Sequence, residues 1–442
     1  MSTSKIGLLS LTALVFSSMV GSGVFSLPQN MAFVANGEAL LMAWLITGVG
    51  ILFLAFAFLY LTRQRPDLDG GIYNYAREGF GELIGFCSAW GYWLCTTIGI
   101  VGYVVIAFSA VGMFTDRPDH IYFGEGNTLY ALIGSSIFVW MVHWLVSQGI
   151  KEASLVNLIA TIAKIIPIVI FIIFTLIAFK LELFKLNYFD FSLQMPVWEQ
   201  VRNLMLITLW VFTGIEGAVV LSSRAKNRND IGRATILGVL LALSFYVLVT
   251  VLSYGVANRA ELADMHNPSM ATILEQLIGL PGTIIITLGL IISVCSSYLS
   301  WTLFATEIPF LAAKNKAFPQ FFLKTNRNNV PIASLWLTSI VVQISLIAVC
   351  FFDKNYMQLL LISSVMILLP YFLVSAFYLK ESLRNKRSKH IWIALIAVLY
   401  ASWLLYAAGI SLLLLSGCLY LVGLFIFFYS RYANKRASYN KL

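Results

Sequence analysis

Apolar segments of about 20 residues recur along the whole of this chain, each long enough as a helix to cross a hydrocarbon core roughly 30 Å thick. Twelve can be read, at about 8–35, 39–61, 83–113, 127–147, 153–178, 201–223, 234–256, 283–310, 331–351, 356–379, 391–409 and 412–430. Of the 442 residues 60% are hydrophobic and 11% charged, which excludes the two or three soluble domains that the length alone would allow. The expectation is an all-α polytopic membrane protein, a single transmembrane domain over 1–442. The last two spans are the least clearly divided, since only Gly409 and Gly417 interrupt their apolar stretch.

Two spans carry sequence that disfavours a continuous helix. The first holds Gly21-Ser22-Gly23 near its middle and Pro28 soon after, and the sixth holds Gly214 and Gly217 around Glu216. A glycine in a helix interior costs roughly 1 kcal/mol relative to alanine. Unwound backbone at membrane depth is tolerated only where it is buried in protein or lines a cavity. Paired breaks in corresponding halves point to the binding site of a repeat-built transporter. Spans 1–5 and 6–10 each begin with such a break, and the third span of each half carries tryptophan in a polar-flecked stretch, at 91–99 and 296–307. The pattern predicts a five-plus-five inverted repeat, the first about 7–178 and the second about 200–380, with two additional C-terminal helices at about 391–430.

Charge sets the orientation. With the N-terminus inside, 22 of the 29 Lys and Arg fall on one side, six on the other, and Lys164 inside the membrane. This positive-inside bias predicts cytoplasmic N- and C-termini and accounts for the net charge of +9 without nucleic acid as a partner. Lys5 ahead of an apolar stretch resembles a signal peptide, but no small-x-small cleavage site follows, so the segment reads as an uncleaved first helix. Residues 63–82 are too polar to span and read as a cytoplasmic turn and short helix. Residues 225–230 read as a cytoplasmic turn, and Asp264–Pro268 as a turn before a short surface helix. Five scattered cysteines and four dispersed histidines imply no metal, disulfide or cofactor. No nucleotide-binding motif is present, so any driving force is an ion or solute gradient.

The candidate chemistry clusters at the breaks. Unwinding at Gly21, Ser22 and Gly23 would expose N–H groups at the start of a second half-helix, where the dipole favours a carboxylate. Carbonyls freed at the end of the first half-helix would accept an ammonium group, and together these match an amino acid's backbone. The same glycines also fit a close helix-packing face. Three ionisable residues lie within spans, Lys164, Glu216 and Glu307, and each is a functional candidate because charge in the bilayer is costly. Lys164 reads equally as a proton-exchanging coupling group and as a fixed cation tying span 5 to the carbonyls of span 1. Glu216 could bond loosened backbone or act as a gate. Glu307 could face a cationic side chain or a proton path, or be an interfacial structural carboxylate. Trp210, four residues before Gly214, and Trp301, beside Ser296, Ser297 and Ser300, are placed to close over a ligand or stack on a cation; Tyr92 lies near the same cavity.

GSGVFSLPQNM, GGIYNYAREGFG, GYWLC, TLWVFTGIEGAVV, AKNRNDIGRAT and SYLSWTLFATEIPFLAAK, in that order, resemble the amino acid–polyamine–organocation superfamily, most nearly its basic amino acid antiporters of the arginine/ornithine type. The resemblance runs to about residue 330 and implies the five-plus-five fold and alternating access. By matching positions it implies that Ser22 and Gly23 hold the substrate carboxylate and that Ile215 lines the span 6 break. Trp210 would close the occluded state, Tyr92 and Glu216 would gate, and Trp301 would stack on the substrate side chain. Lys164 falls where proton-coupled relatives carry a lysine in place of a sodium ion. The chain departs from arginine/agmatine exchangers at Ile100, where they have an asparagine that meets the guanidinium. Guanidinium recognition is therefore in question, and ornithine, lysine or a neutral amino acid stays open.

The sequence thus predicts a secondary amino acid transporter in the inner (plasma) membrane, an antiporter of cationic amino acids or a proton-coupled permease. It is not an enzyme, and its partners are amino acid substrates, the lipid bilayer and possible second copies as a homodimer. A solute sensor, a polytopic enzyme or a channel would need a signalling tail, converging catalytic groups or a symmetric pore, and none is read here.

Overall fold

The computed structural model describes residues 7–68, 71–149, 153–220, 228–352 and 354–439. The first apolar run is divided into α1 (Leu8–Met19), a 3-10 turn (Gly23–Ser26) and α2 (Leu27–Ala32). It is followed by α3 (Gly37–Gln64), α4 (Ile72–Phe80), α5 (Glu82–Thr115), α6 (Leu129–Ser147), α7 (Ala153–Ala178) and α8 (Leu181–Tyr188). A second broken run, α9 (Val197–Trp210) and α10 (Gly217–Val220), leads into α11 (Arg228–Ser253), α12 (Arg259–Asp264), α13 (Ser269–Ile278) and α14 (Leu280–Lys314). The chain then forms α15 (Ile332–Phe351), α16 (Tyr356–Arg384), α17 (Ser388–Ala407) and α18 (Gly409–Tyr439).

Among the described residues ten helices are long and apolar enough to cross a membrane, or eleven if a bent pair counts as one span. That pair is Ile162–Ala178 and Leu181–Tyr188, which meet at 97°. The sixth span read from sequence does not pass by length because the chain breaks after the 14 residues of α9. Its end from 221 lies outside the described residues, as do Lys5, positions 69–70 of the polar stretch 63–82 and positions 225–227 of the basic turn. The remainder of 63–82 forms a turn and the short α4 as expected, and Met265–Pro268 separates α12 from α13 as expected. The weak division near the C-terminus falls at Gly409, whose φ of +72° is a helix-stopping conformation open to glycine.

Side-chain oxygens start several spans. Asn36 accepts from Ala39 N at 2.9 Å at the head of α3, Thr128 from Ala131 N at 3.2 Å for α6, and Asn355 from Gln358 N at 3.2 Å for α16. Between spans, apolar burial gains little over lipid, so close packing and buried hydrogen bonds hold the bundle. The buried face of α5 packs against α14 and α16, while α3 packs against α11 and α17. Glycines allow the closest approaches: a Cβ at Gly50 would lie 2.1 Å from the Tyr400 ring, and one at Gly289 2.3 Å from Pro167. Polar ties cross the same seams, with Trp44 Nε1 donating to Thr250 at 2.8 Å and Thr47 bonded to Thr208 at 2.8 Å. Large apolar side chains such as Leu45, Ile137, Ile177 and Phe425 are exposed on the outside of the bundle.

One arginine gathers the loop after α8, the end of α2 and the start of α12. Arg259, at the start of α12, pairs with Asp190 and donates to Ala32 O at the end of α2 (2.9 Å) and to Ser192 Oγ (2.7 Å). Its backbone N–H reaches Asn187 Oδ1 at 2.8 Å, and Asn187 in turn donates to Tyr254 O and Ala257 O. Burial pushes the Asp190 carboxyl up, but the Ser192 amide and Arg259 together hold it below the usual carboxylate range. Replacing Arg259 by Leu leaves Asp190 and the α2 terminus without their shared donor and is predicted to destabilise the fold by about 3 kcal/mol. Because Asp190 is held low, this difference from wild type is full at neutral pH and shrinks as pH falls below about 4. Thermal unfolding of the two proteins in detergent across pH checks it; equal melting at pH 7 would refute the clamp.

Candidate functional site

Gly21 N–H turns to Met19 O at 2.8 Å, so Ser17 O loses the donor four residues on that a continuous helix would supply. Groups from other helices replace the missing ladder. Lys164 Nζ on α7 donates to Ser17 O at 3.1 Å, Val20 O at 3.0 Å and Ser297 Oγ at 3.4 Å, engaging all three ammonium hydrogens. Ser293 on α14 donates to Gly21 O at 3.0 Å, and Trp301 Nε1 to Ser18 O at 3.4 Å. Carbonyls that the sequence assigns to a ligand's ammonium thus meet the protein's own lysine, in the geometry of a tether between spans 5 and 1.

The second break lies against the first. After α9 ends at Trp210, Gly214 adopts φ +111°, and a Cβ there would lie 2.6 Å from Ser18 O. Ser18 Oγ lies 2.8 Å from Gly214 O and 2.9 Å from Val15 O, bonding one break to the other. Tyr246 on α11 donates to Val211 O at 2.8 Å. Ile215 is buried within this turn. The buried Glu216 accepts from Tyr371 on α16 at 2.8 Å, and Tyr92 on α5 lies beside the same carboxylate. The Glu216 carboxylate and the Val211 and Gly214 carbonyls are thus matched with partners rather than left bare.

Aromatic rings fill the space over the two breaks. Trp301 meets Trp210 edge-on at 5.5 Å and Tyr103 edge-on at 5.2 Å. Gly99 makes room for them, since a Cβ there would lie 2.6 Å from Trp301 and 2.7 Å from Trp210. Gly21 does the same for Tyr103 (2.6 Å), and Gly23 for Val211 (2.8 Å) and the Trp210 indole (3.2 Å). The helix 1 glycines are therefore both a break in the helix and a close packing face. Ile100 is buried on α5. Glu307 is half-buried six residues beyond Trp301 on α14, about 9 Å further along the axis.

Sequence reasoning passed over Ser18, Ser293, Tyr103, Tyr356 and Tyr371. Tyr103 carried a signal: Tyr92, Gly99 and Tyr103 share one helical face at i, i+7 and i+11. Ser293 is four residues before Ser297 and on its face. Tyr356 and Tyr371 lie far along the chain on α16, and nothing local to them announces a contact with spans 1 and 6.

Two backbone breaks at membrane depth, enclosed by protein and lined with hydroxyls, carboxylate and aromatic rings, are the hallmark of a secondary transporter for a small polar solute. The chain belongs to the amino acid permease family, whose profile matches residues 6–437. It is 56% identical over 427 residues, 97% of this chain and 92% of the relative, to a protein of Escherichia coli (strain K12) provisionally named an arginine/ornithine antiporter. It is 46% identical over 442 residues to an arginine/ornithine antiporter of Pseudomonas aeruginosa, covering 96% and 91% of the two chains. It is 42% identical over 438 residues to an arginine/agmatine antiporter of Chlamydia caviae, covering 96% and 89%.

Gly214 makes a sharp test of the joined breaks. Gly214→Ala adds a side chain to a left-handed residue already against Ser18 O, and is predicted to cost at least about 1–3 kcal/mol. The melting temperature of the purified variant should drop clearly; a wild-type value would mean that the breaks are not held as described.

Proposed function

We propose that this protein exchanges cationic amino acids across a bacterial inner membrane by alternating access, with both termini in the cytoplasm. The observation that carries the reading is the pair of helix breaks bonded to each other through Ser18 and Gly214 beneath Trp210 and Trp301. The names of its bacterial relatives, antiporters of arginine with ornithine or agmatine, support the substrate class.

Twelve spans in a five-plus-five inverted repeat with two added helices are the architecture proposed. Helix packing supports it, because contacts come in pairs related by moving five spans. The contact of α1 with α11 has a counterpart in that of α9 with α3. Likewise, α5 with α16 matches α14 with α7, and α1 with α7 matches α9 with α16.

In this reading Ser22 and Gly23 hold the substrate carboxylate, Ile215 forms the wall at the second break, and Trp210 closes over the ligand. The Trp301 face stacks on the substrate's cationic side chain. Tyr92 and Glu216 form a gate, and Glu307 places a carboxylate on the path of a cation. The buried Ile100 offers no hydrogen bond to a planar guanidinium, which favours ornithine or lysine as the best-held substrate. Lys164, engaged by three oxygens, acts as a fixed cation; proton-coupled uptake is the second reading, resting on the same buried ammonium.

Labelled ornithine, lysine and arginine uptake into proteoliposomes without an ion gradient tests exchange. Uptake is expected only into vesicles preloaded with amino acid. Uptake into empty vesicles on acidifying the outside would replace exchange by proton coupling. Trp301→Ala is predicted to fold and insert but to lose exchange by about tenfold or more, the scale of a desolvated cation–π contact; wild-type exchange would sink its role. Lys164→Ala is predicted to lower stability without conferring or removing any dependence on an imposed pH gradient, measured by melting temperature and by uptake.

A further inference from the structure

Tyr356 lies outside the residues that sequence patterns pick out, yet its hydroxyl touches both broken spans. It is the first residue of α16, set by the Asn355 cap, and is almost completely buried. Its oxygen accepts the Trp210 indole N–H at 3.0 Å, from the residue that ends α9. The same oxygen lies 3.3 Å from Ser22 Oγ, in the break of helix 1. Gly23, the next residue, packs directly on the Trp210 indole.

The hydrogen count in this group is informative. A phenol and a serine hydroxyl each have one hydrogen and two lone pairs, whereas the indole can only donate. The indole takes one lone pair of Tyr356, and the Tyr356–Ser22 bond takes one hydrogen and one lone pair. Whichever of the two hydroxyls donates in that bond, one O–H is left over. Buried as it is, that hydrogen needs an acceptor. A carboxylate at Ser22 would supply one through a charge-assisted bond, whereas an amine lacking the carboxylate would not.

We propose that Tyr356 is a specificity-determining residue: with Ser22 it presents one hydroxyl donor to the substrate carboxylate, and through Trp210 it ties that contact to closure of the site. The inference rests on the reading of Ser22 and Gly23 as the carboxylate site. It makes Tyr356 a discriminator between an amino acid and the diamine left when that amino acid loses its carboxylate. It also makes the position of Trp210 sensitive to carboxylate binding, because the indole and the Ser22–carboxylate pair share one phenol oxygen.

The test is inhibition of labelled-ornithine exchange in proteoliposomes by unlabelled ornithine and by 1,4-diaminobutane, for wild type, Tyr356→Phe and Ser22→Ala. Tyr356→Phe keeps the ring and removes only the oxygen. It is expected to raise the inhibition constant of ornithine about tenfold while leaving that of the diamine nearly unchanged. Tyr356→His, which restores a polar ring, is expected to recover part of the preference. Equal weakening of both ligands by Tyr356→Phe would mark a merely structural residue and overturn the proposal. If Ser22→Ala narrows the preference and Tyr356→Phe does not, the role of Tyr356 falls while the carboxylate reading stands. If neither narrows it, the carboxylate reading falls as well.

Discussion

Carbonyl groups released from a helix in the middle of a bilayer have no water to bond, and the architecture around α1 follows from that demand. Each freed carbonyl needs a donor delivered from elsewhere in the bundle. Lys164 brings one from α7, Ser293 and Trp301 bring two from α14, and Ser18 reaches across to α10's approach at Gly214. The helices that supply these groups must pack against α1 closely and in register. The tight contact of Gly289 on α14 with Pro167 on α7 sets these two supplying helices closely against each other.

The same bonds restrict how the two breaks can move. Ser18 and Gly214 join them, while Tyr246 and Tyr371 secure the second break to α11 and α16. Opening toward either side of the membrane therefore means exchanging one set of partners for another, because an unpaired carbonyl or carboxylate at this depth costs several kcal/mol. α16 meets the second break at two places. Tyr356 bonds Trp210 just before the second break, and Tyr371 bonds Glu216 at its end. They are 15 residues apart, about 22 Å along the helix.

Membrane class, the positions of both breaks and the short α4 were legible from sequence because each depends on local pattern: run length, glycine spacing and polarity. The bend of α8 away from α7 was not, since Phe179 and Lys180 carry neither proline nor glycine to announce it. At the site, Trp210, Glu216, Trp301 and Lys164 stood out as aromatic or charged residues in apolar surroundings. Tyr356 and Tyr371 did not. A tyrosine in a span is ordinary, and these two gain their meaning from partners 146 and 155 residues away. Gly99 could be noticed as a small residue on α5, but that it admits two indoles follows only from where α9 and α14 lie.

In the proposed exchange, Lys164 is a fixed charge that takes the place of a cation drawn from solution. A cation that entered from solution to satisfy Ser17 O and Val20 O would have to be bound and released in each cycle, and its gradient would then drive the cycle. An ammonium on a covalent stem, with all three hydrogens bonded to Ser17, Val20 and Ser297, satisfies the carbonyls without leaving. Only loss of its proton could link it to a gradient, and that loss would strip a donor from oxygens that have no water to replace it. On the proposed reading of Lys164 as a fixed cation, the break is held by the protein alone. In the proposed exchange, what remains to be carried across is substrate in both directions.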